Sequence, residues 1–495
     1  MNQLKNKNLI LVIVIFITFF LRFYKLEQNP PGLYVDEVSL GYNAYSILKT
    51  GKDEYGNFLP LFFRSFNTYN PAFSVYTLVP SVAIFGLNEF AIRFPSVLLG
   101  SISILLTYLL VNKLFKNKNL SLAASFLFAI SPWHLHFSRF YHEANLMIFF
   151  SLLGLVLFFY SKNRPFFLMS SATVFGISLN TSHSAKLWVP LFLIIIAWYF
   201  KKEIRKLGKK LVYPILILAI FTIPIILNFQ KTLIRPVSVS IFNQKGDVIE
   251  NLVSSYLSHF SPNFLFIRGD YFGRHSVPGM GELYVFELPL IVLGLIKLIR
   301  QNDRPSKFLL TWLLIAPIPA SLATPTPHAG RSLTFLPTWS IIAAVGLNNL
   351  LSLKIRQYLK GIFITGLLAV AVYNIITYFH LYYKHYPKEK AIDWSDGHKE
   401  MAKYVGSVYD NYERIVITKY WGHPYIYLLF YLKYDPKKYH SQSENKNAFD
   451  KFEFFLGTPE ESFKKTLSIS TPENKKNVLK EFKMNNGDTI FVAHE

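Results

Sequence analysis

Long apolar runs recur along the first 383 residues, and short polar connections separate them. A membrane-spanning helix needs about 20 mostly apolar residues, and eleven runs approach that length, although several are short or contain proline. The runs lie at 8–26, 91–112, 120–138, 144–160, 166–182, 187–200, 211–229, 285–300, 307–323, 332–351 and 361–381. This pattern predicts a mainly α-helical polytopic membrane protein with a bundle of about eleven transmembrane helices in residues 1–383.

The tail, residues 384–495, has a different pattern, because charged residues are frequent and the apolar runs are short. Strand-like runs occur at 414–418 and 489–492, and helix-like runs at 397–409 and 424–432. The tail is therefore predicted to be a small, separate α/β domain.

Lysine and arginine concentrate in alternate connections between the apolar runs, most densely in residues 201–210. Connections rich in lysine and arginine face the cytoplasm in most membrane proteins. The alternation predicts a cytoplasmic amino terminus, long outer loops at 27–90 and 229–284, and an extracytoplasmic tail. A multi-pass protein of the cell membrane is the predicted location.

Composition agrees with a membrane protein, since 51% of the residues are hydrophobic and 17% are charged, against about 25% charged in soluble domains. The formal net charge is +22. From residue 384 onward, 18 basic residues face 16 acidic ones, so the excess belongs to the apolar part. A membrane rather than nucleic acid is the partner that this distribution favours. The chain has no cysteine, which excludes disulfides and thiolate metal sites.

An adjacent acidic pair, Asp36 and Glu37, follows a Pro-Pro-Gly turn at 30–32, just after the first apolar run. If a helix begins there, neighbouring side chains point in different directions. One carboxylate is then a candidate base for an acceptor hydroxyl or amine, or a ligand for a divalent cation. The structural alternative is a helix cap with a first-turn carboxylate that the helix dipole favours.

Basic side chains and histidines also occur in the predicted outer connections, where the charge rule should make basic residues scarce. The candidate binding residues are Arg64, His134, Arg139, Lys186, Arg274, His328 and Arg331. Arginine binds phosphate bidentately, so these groups are candidates for a phosphate site. The alternatives are contact with lipid headgroups for the cations and ordinary hydrogen bonding or metal ligation for the histidines.

Four stretches, in this order, carry a resemblance to a known family: Gly32–Glu37, Glu89–Ser96, Ser131–Arg139 and Trp421–Tyr427. Together with one span before the acidic pair and many after it, they resemble the GT-C glycosyltransferases. The most similar branch contains the protein O-mannosyltransferases and the lipid A aminoarabinose transferase. The resemblance covers most of residues 1–383.

That resemblance implies an enzyme that moves a sugar from a polyprenyl-phosphate donor to an acceptor on the outer face of the membrane. The acceptor is a protein, a glycolipid or a wall polymer. Asp36 would act as the general base, and Glu37 would position the acceptor or a metal. Arg139 and Arg331 would contact the lipid phosphate, with the other cations as secondary candidates. Some relatives hold a divalent metal ion, which makes such an ion a candidate cofactor here.

A base on the side of the sugar opposite to a phosphate leaving group favours a single displacement with inversion, because retention needs a second carboxylate as nucleophile. Two other functions remain open. One is a flippase or polymerase of lipid-linked sugars, although ionisable residues here lie at span ends rather than near the midplane, where transporters place them. The other is a non-catalytic membrane binding protein.

Overall fold

The computed structural model describes residues 2–161, 164–354, 356–442, 447–456, 465–473 and 477–495. These parts are mainly helical, and a small sheet lies towards the carboxyl end, as predicted. The strand-like runs at 414–418 and 489–492 are both strands, and the helix-like runs at 397–409 and 424–432 both contain helices.

In the described residues, the first twelve α-helices are α1 (Asn2–Phe23), α2 (Val35–Thr50), α3 (Ala72–Tyr76), α4 (Val79–Phe85), α5 (Glu89–Phe115), α6 (Lys118–Ile130), α7 (Pro132–Phe137), α8 (Glu143–Tyr160), α9 (Pro165–Leu179), α10 (Ala185–Tyr199), α11 (Lys201–Arg205) and α12 (Val212–Leu227). The others there are α13 (Phe229–Ser238), α14 (Val248–Ser258), α15 (Glu287–Gln301), α16 (Arg304–Ile315), α17 (Ile318–Ser321), α18 (Leu336–Ser352), α19 (Gln357–His380), α20 (Tyr386–Glu389), α21 (His398–Ser407), α22 (Pro424–Tyr431) and α23 (Pro436–Gln442). The strands are β1 (Phe62–Ser65), β2 (Thr68–Pro71), β3 (Arg414–Thr418), β4 (Ala448–Phe449), β5 (Phe452–Phe455), β6 (Thr466–Ser470), β7 (Val478–Lys483) and β8 (Thr489–His494).

Helices occupy each of the eleven apolar runs, but the predicted count of eleven spans is not confirmed. Within the described residues, five helical stretches are long and apolar enough to cross a membrane: Glu89–Phe115, Glu143–Tyr160, Gly208–Leu227, Leu333–Ser352 and Gln357–Glu389. Proline explains part of the difference between the eleven predicted spans and these five helical stretches. The run at 120–138 divides into α6 and α7 where Pro132 starts a new helix, because proline has no N–H for the preceding turn.

The described chain folds into two compact units. The first consists of Met1–Tyr24, Phe66–Ser74 and Ser96–Leu381. Its tightest helix pair is α15 with α18. A Cβ atom on Gly294 would lie 2.0 Å from the Ile342 carbonyl oxygen, and one on Gly346 would lie 1.8 Å from that of Leu290. Glycine at both positions lets the two backbones touch, as small residues do between membrane helices.

The second unit consists of Lys25–Ser65, Val75–Pro95 and Tyr382–Glu495. Its six-stranded sheet has the order β4-β5-β3-β6-β8-β7, with β3 parallel to both of its neighbours. Helix α2, which carries the acidic pair, packs against the buried helix α22 of this unit. The close approach occurs at Gly41, where an added Cβ would lie 2.8 Å from the Phe430 ring. The packing of α22 therefore sets the position of α2.

Candidate functional site

The acidic pair lies in the first turn of α2. Tyr34 holds the N-cap position without a side-chain capping bond, so neither acidic residue is the cap. The positive end of the helix dipole still favours both carboxylates. Asp36 is half-buried, whereas Glu37 is fully buried. The two side chains therefore have different environments, and a half-buried carboxylate is the one that a substrate can reach.

Glu37 pairs with Arg93 of α5 at 3.4 Å, and both side chains are fully buried. The same guanidinium donates to the carbonyl oxygens of Leu26 and Pro30, each at 2.9 Å, and to that of Gly32. Gly32 lies against the Trp394 carbonyl, where an added Cβ would come within 2.3 Å. Arg93 thus joins the turn before α2 to the first turn of the helix, and its contacts hold the segment that presents Asp36.

We expect Arg93→Met to destabilise the protein by about 3–5 kcal/mol, because it leaves the Glu37 carboxylate buried without its cationic partner. Thermal unfolding of the purified protein in detergent measures the loss. Arg304→Met is the matched control, since Arg304 pairs with Glu203 at 2.8 Å but both side chains are 47% exposed. That change should cost about 1 kcal/mol or less. Equal losses in the two variants would contradict the importance of the buried pair.

Arg139 and His134 contact the first helix. The Arg139 guanidinium is fully buried and donates to the carbonyl oxygens of Leu21, Arg22 and Tyr24 at 2.7–2.9 Å. Cationic side chains commonly bind the last carbonyls of a helix in this way. His134 Nδ1 lies 2.8 Å from the Arg22 guanidinium. These contacts join α1 to the segment around α7, so the structure gives both residues a role in packing.

A carboxylate and two histidines lie together in the loop region of the first unit. Asp270 Oδ2 is 3.0 Å from His275 Nδ1 and 3.8 Å from His328 Nδ1. One ligand atom from each residue lies within 4.8 Å of the other two, and all three residues are buried. The backbone N–H of Ala329 donates to the same Asp270 oxygen at 2.7 Å. We call Asp270, His275 and His328 the Asp-His-His triad.

The triad has a donor set that fits a divalent metal ion. One carboxylate and two imidazoles suit zinc and similar transition metals, and they leave coordination positions for water or substrate. Burial lowers the pKa of His328 well below its usual value, and the nearby His275 and Arg331 lower it further. A neutral imidazole keeps the lone pair that metal binding needs. The predicted divalent ion therefore has a candidate site, and His328 would be one of its ligands.

Three cations of the first unit share one electrostatic environment. Burial and, after it, the positive charges of Lys186, Arg235 and Arg331 together lower the pKa of His183 to about 3. Lys186 Nζ is 3.4 Å from His183 Nδ1, and Arg331 Nη1 donates to the Ala323 and Thr324 carbonyls at 3.0 Å. We call Lys186, Arg235 and Arg331 the basic cluster.

The basic cluster adjoins the triad through Arg331. Its backbone N–H donates to His328 Nδ1 at 3.2 Å. Burial and the positive charge of Arg235 lower the pKa of Arg331 to about 10, against the opposite effect of Asp270 and Glu143. Lys186 and Arg331 are half-buried and Arg235 is exposed, and cations that repel one another in such a place favour the binding of an anion.

The two remaining predicted residues, Arg64 and Arg274, belong neither to the triad nor to the basic cluster. Arg64 is exposed on β1, with its guanidinium 4.8 Å from the centre of the Tyr55 ring. Arg274 is half-buried, and its carbonyl lies 2.7 Å from His136 Nε2. A substrate-binding role for either side chain stays a prediction.

Sequence reasoning missed several members of these groups. Arg93 lies within a stretch that carried the family resemblance, but its pairing with Glu37 depends on contacts across 56 residues. Asp270 and His275 were visible as neighbours in the long loop, without a sign that His328 would join them. Arg235 belongs to no motif that the sequence analysis identified. It lies on α13, whose polar face could have drawn attention to it.

Comparisons with known proteins give a consistent picture. The family model described as dolichyl-phosphate-mannose-protein mannosyltransferase matches residues 12–233. Among curated protein sequences, none matches significantly. The similarity to solved structures covers nearly the whole chain.

ArnT from Cupriavidus metallidurans in the apo state is 12% identical, with a TM-score of 0.58 and coverage of 99% of this chain and 98% of that one. The same enzyme bound to undecaprenyl phosphate is 13% identical, with a TM-score of 0.56 and coverage of 98% and 97%. The oligosaccharyltransferase of Archaeoglobus fulgidus, in a complex with Zn and sulfate, is 15% identical, with a TM-score of 0.53 and coverage of 85% and 61%. The chain therefore has an ArnT-like fold, and the resemblance to the GT-C membrane glycosyltransferases is confirmed.

Proposed function

We propose that this protein transfers a sugar from a polyprenyl-phosphate donor to an acceptor at the outer face of the membrane. The observation that carries the proposal is the basic cluster, in which half-buried Lys186 contacts His183 and half-buried Arg331 bonds directly to His328 of the triad. The lipid-phosphate donor class is supported by the relative that binds undecaprenyl phosphate and by the family model named for a dolichyl-phosphate sugar. The outer face is supported by the distribution of lysine and arginine in the sequence.

The leaving group of such a reaction is a lipid phosphate, and its negative charge grows as the glycosidic bond breaks. Fixed cations in a site with little water stabilise that charge more than bulk water does. Arg331 and Lys186 are half-buried and keep N–H groups for an anion. Arg139 is less suited to this role, because its guanidinium holds three carbonyl oxygens of α1.

Asp36 is the proposed general base, which takes the proton from the acceptor hydroxyl or amine as the acceptor attacks the anomeric carbon. Glu37 is better described as a positioning residue, since its ion pair with Arg93 fixes the turn that carries Asp36. A divalent ion held by the triad would supply Lewis-acid stabilisation of phosphate charge. Single displacement predicts inversion, so a product with the donor's anomeric configuration would contradict this mechanism.

A panel of synthetic polyprenyl-phosphate sugars tests the function directly. Purified protein in lipid vesicles is incubated with each radiolabelled donor and with membrane extract as a source of acceptor. Release of free polyprenyl phosphate together with labelled acceptor is the expected result, and the active donor identifies the sugar. Movement of intact donor across the vesicle membrane, without cleavage of the sugar–phosphate bond, would instead identify a flippase.

Arg331→Met should raise the KM for the donor by about 10- to 100-fold, because it removes a charge-assisted contact worth about 1.5–3 kcal/mol. Arg331→Lys should recover part of this loss, since lysine keeps the charge but not the bidentate geometry. Arg356→Met, which removes an arginine from another connection of the first unit, is the control. Initial rates across donor concentrations separate KM from kcat, and an unchanged KM in Arg331→Met would remove this arginine from donor binding.

A further inference from the structure

Helix α13 presents an apolar face that no described part of the chain covers. Phe229, Leu233, Ile234 and Val237 are 55%, 45%, 42% and 57% exposed. Their helical spacing places them on one side. On another side of the helix, Lys231 lies over the Tyr69 ring at 5.7 Å. The helix is therefore attached to the first unit by one face and has a row of large apolar side chains on another.

Helix α14 repeats this arrangement. Ile249, Val253 and Leu257 are 71%, 52% and 57% exposed. Polar groups of the helix bond to other parts of the first unit. The Ser255 hydroxyl, on the side opposite to these residues, donates to the Ser321 carbonyl at 2.8 Å, and the Tyr256 hydroxyl donates to the Leu314 carbonyl at 2.8 Å. Two consecutive helices thus combine specific polar attachment with large exposed apolar faces.

The contacts of α14 show which segment of the chain it lies beside. Leu314 of α16 and Ser321 of α17 both belong to the apolar run at 307–323. Because neighbouring residues of α14 bond to both carbonyls, the helix lies alongside this apolar segment rather than beyond its end. The Leu314 side chain is itself 54% exposed. Helix α14 therefore lies beside an apolar segment that is itself partly exposed.

Continuity with α12 gives the same indication for α13. Gly208–Leu227 is long and apolar enough to cross a membrane. Near its end Ile223, Ile226 and Leu227 are 50%, 62% and 76% exposed, and α13 begins two residues later at Phe229. Exposed apolar patches of this extent are rare on surfaces that face water. The apolar surface of the candidate span thus continues onto α13.

We propose that α13 and α14, which we call the interfacial segment (229–238 and 248–258), are inserted in the membrane interface with their apolar faces against lipid. A helix with apolar residues on one face and basic residues on another binds in this position, and its apolar face lies about 5–10 Å below the headgroup boundary. Lys231 and Arg235 supply the basic residues, which suits anionic lipid. The partner of this surface is the bilayer itself, and the proposal does not depend on the proposed activity.

Insertion of these helices would also place the basic cluster and the triad close to the membrane interface. Arg235 of the basic cluster lies on α13, and His259, which follows α14, accepts a hydrogen bond from the His328 backbone N–H at 3.2 Å through its Nε2. The interfacial segment therefore has lipid on one side and members of both groups on the other. The bilayer holds these residues at the depth where a lipid phosphate lies.

Spin-label accessibility tests the proposal. Because the chain has no native cysteine, each single-cysteine variant carries the label at one known position. Leu233→Cys and Val253→Cys carry the label on the two apolar faces. Ile223→Cys is the lipid-exposed reference, and Lys245→Cys, at an exposed lysine between the helices, is the aqueous reference. The labelled proteins are reconstituted in vesicles of phosphatidylcholine and phosphatidylglycerol. Collision rates with oxygen and with a water-soluble nickel complex are then measured.

The expected result is a ratio of oxygen to nickel accessibility at Leu233→Cys and Val253→Cys that matches Ile223→Cys and exceeds Lys245→Cys several-fold. Ratios equal to that of Lys245→Cys would overturn the proposal, since the helices would then lie in water. Dipolar broadening between labels, which disappears when the protein is diluted in lipid, would also overturn it, because a second copy of the chain would then cover the surface. All four positions are exposed, and gel filtration in detergent shows that each variant is folded before its ratio is interpreted.

Discussion

Asp36→Asn is expected to abolish sugar transfer, with a fall in kcat of about 100- to 10,000-fold, which is the usual contribution of a general base. Asparagine has nearly the same shape as aspartate but cannot accept the proton of the acceptor. Because Asp36 is half-buried in the first turn of α2, the substitution should leave the fold and donor binding almost unchanged. Transfer and donor binding are measured separately on the same purified protein.

Asp303→Asn is the matched control for this experiment. Asp303 is also an acidic residue at a helix start, where it caps α16 by accepting from the Ser306 N–H at 2.9 Å. If the effect of Asp36→Asn came only from a lost favourable interaction with a helix dipole, the two variants would lose comparable stability and similar activity. Full transfer by Asp36→Asn would remove this residue from the mechanism.

Loss of a triad histidine is expected to have the second large effect. His275→Ala and His328→Ala should each weaken binding of a divalent ion by on the order of 100-fold or more, since each removes one of three protein ligands. Metal content of the purified protein and calorimetric titration with zinc or manganese measure binding without reference to activity. Chelation should lower transfer in the wild type, and return of the ion should restore it.

His183→Gln is the control for the metal experiment. His183 is half-buried, but its Nε2 contacts the Tyr69 carbonyl at 3.0 Å and it lies outside the triad. The variant should bind the ion normally. If the metal-free wild type transferred sugar at full rate and took up no ion on titration, the triad would be a hydrogen-bonded support for the loop and not a metal site.

The basic cluster does not have the same members as the set of basic residues that the sequence predicted for phosphate binding. Arg139 lies in a stretch that resembles the family, yet its guanidinium holds the end of α1. Arg235 lies in no such stretch, yet its charge acts on both His183 and Arg331. An arginine binds phosphate through N–H groups that backbone carbonyls have not already taken, and this property depends on its neighbours in space.

Much of this protein could be predicted from the sequence, because some features depend on local patterns. Apolar runs of sufficient length predict helices at eleven places, and helices occupy each of them. Short strand-like runs predicted the strands at 414–418 and 489–492. The Pro-Pro-Gly turn and the acidic pair predicted a helix start beside Asp36, and α2 begins at Val35. Each prediction rests on residues within a few positions of one another.

Tertiary structure alone decided which side chains meet. Glu37 forms a buried pair with Arg93 and is a positioning residue, whereas its neighbour in sequence, Asp36, is half-buried and has a different environment. Asp270 and His328 are 58 positions apart and meet because the loop after α14 folds back onto the segment before α18. Periodicity reports which face of a helix is buried but not what it is buried against. Partners across long separations follow from packing, and the chemistry of a buried charge depends on its partner.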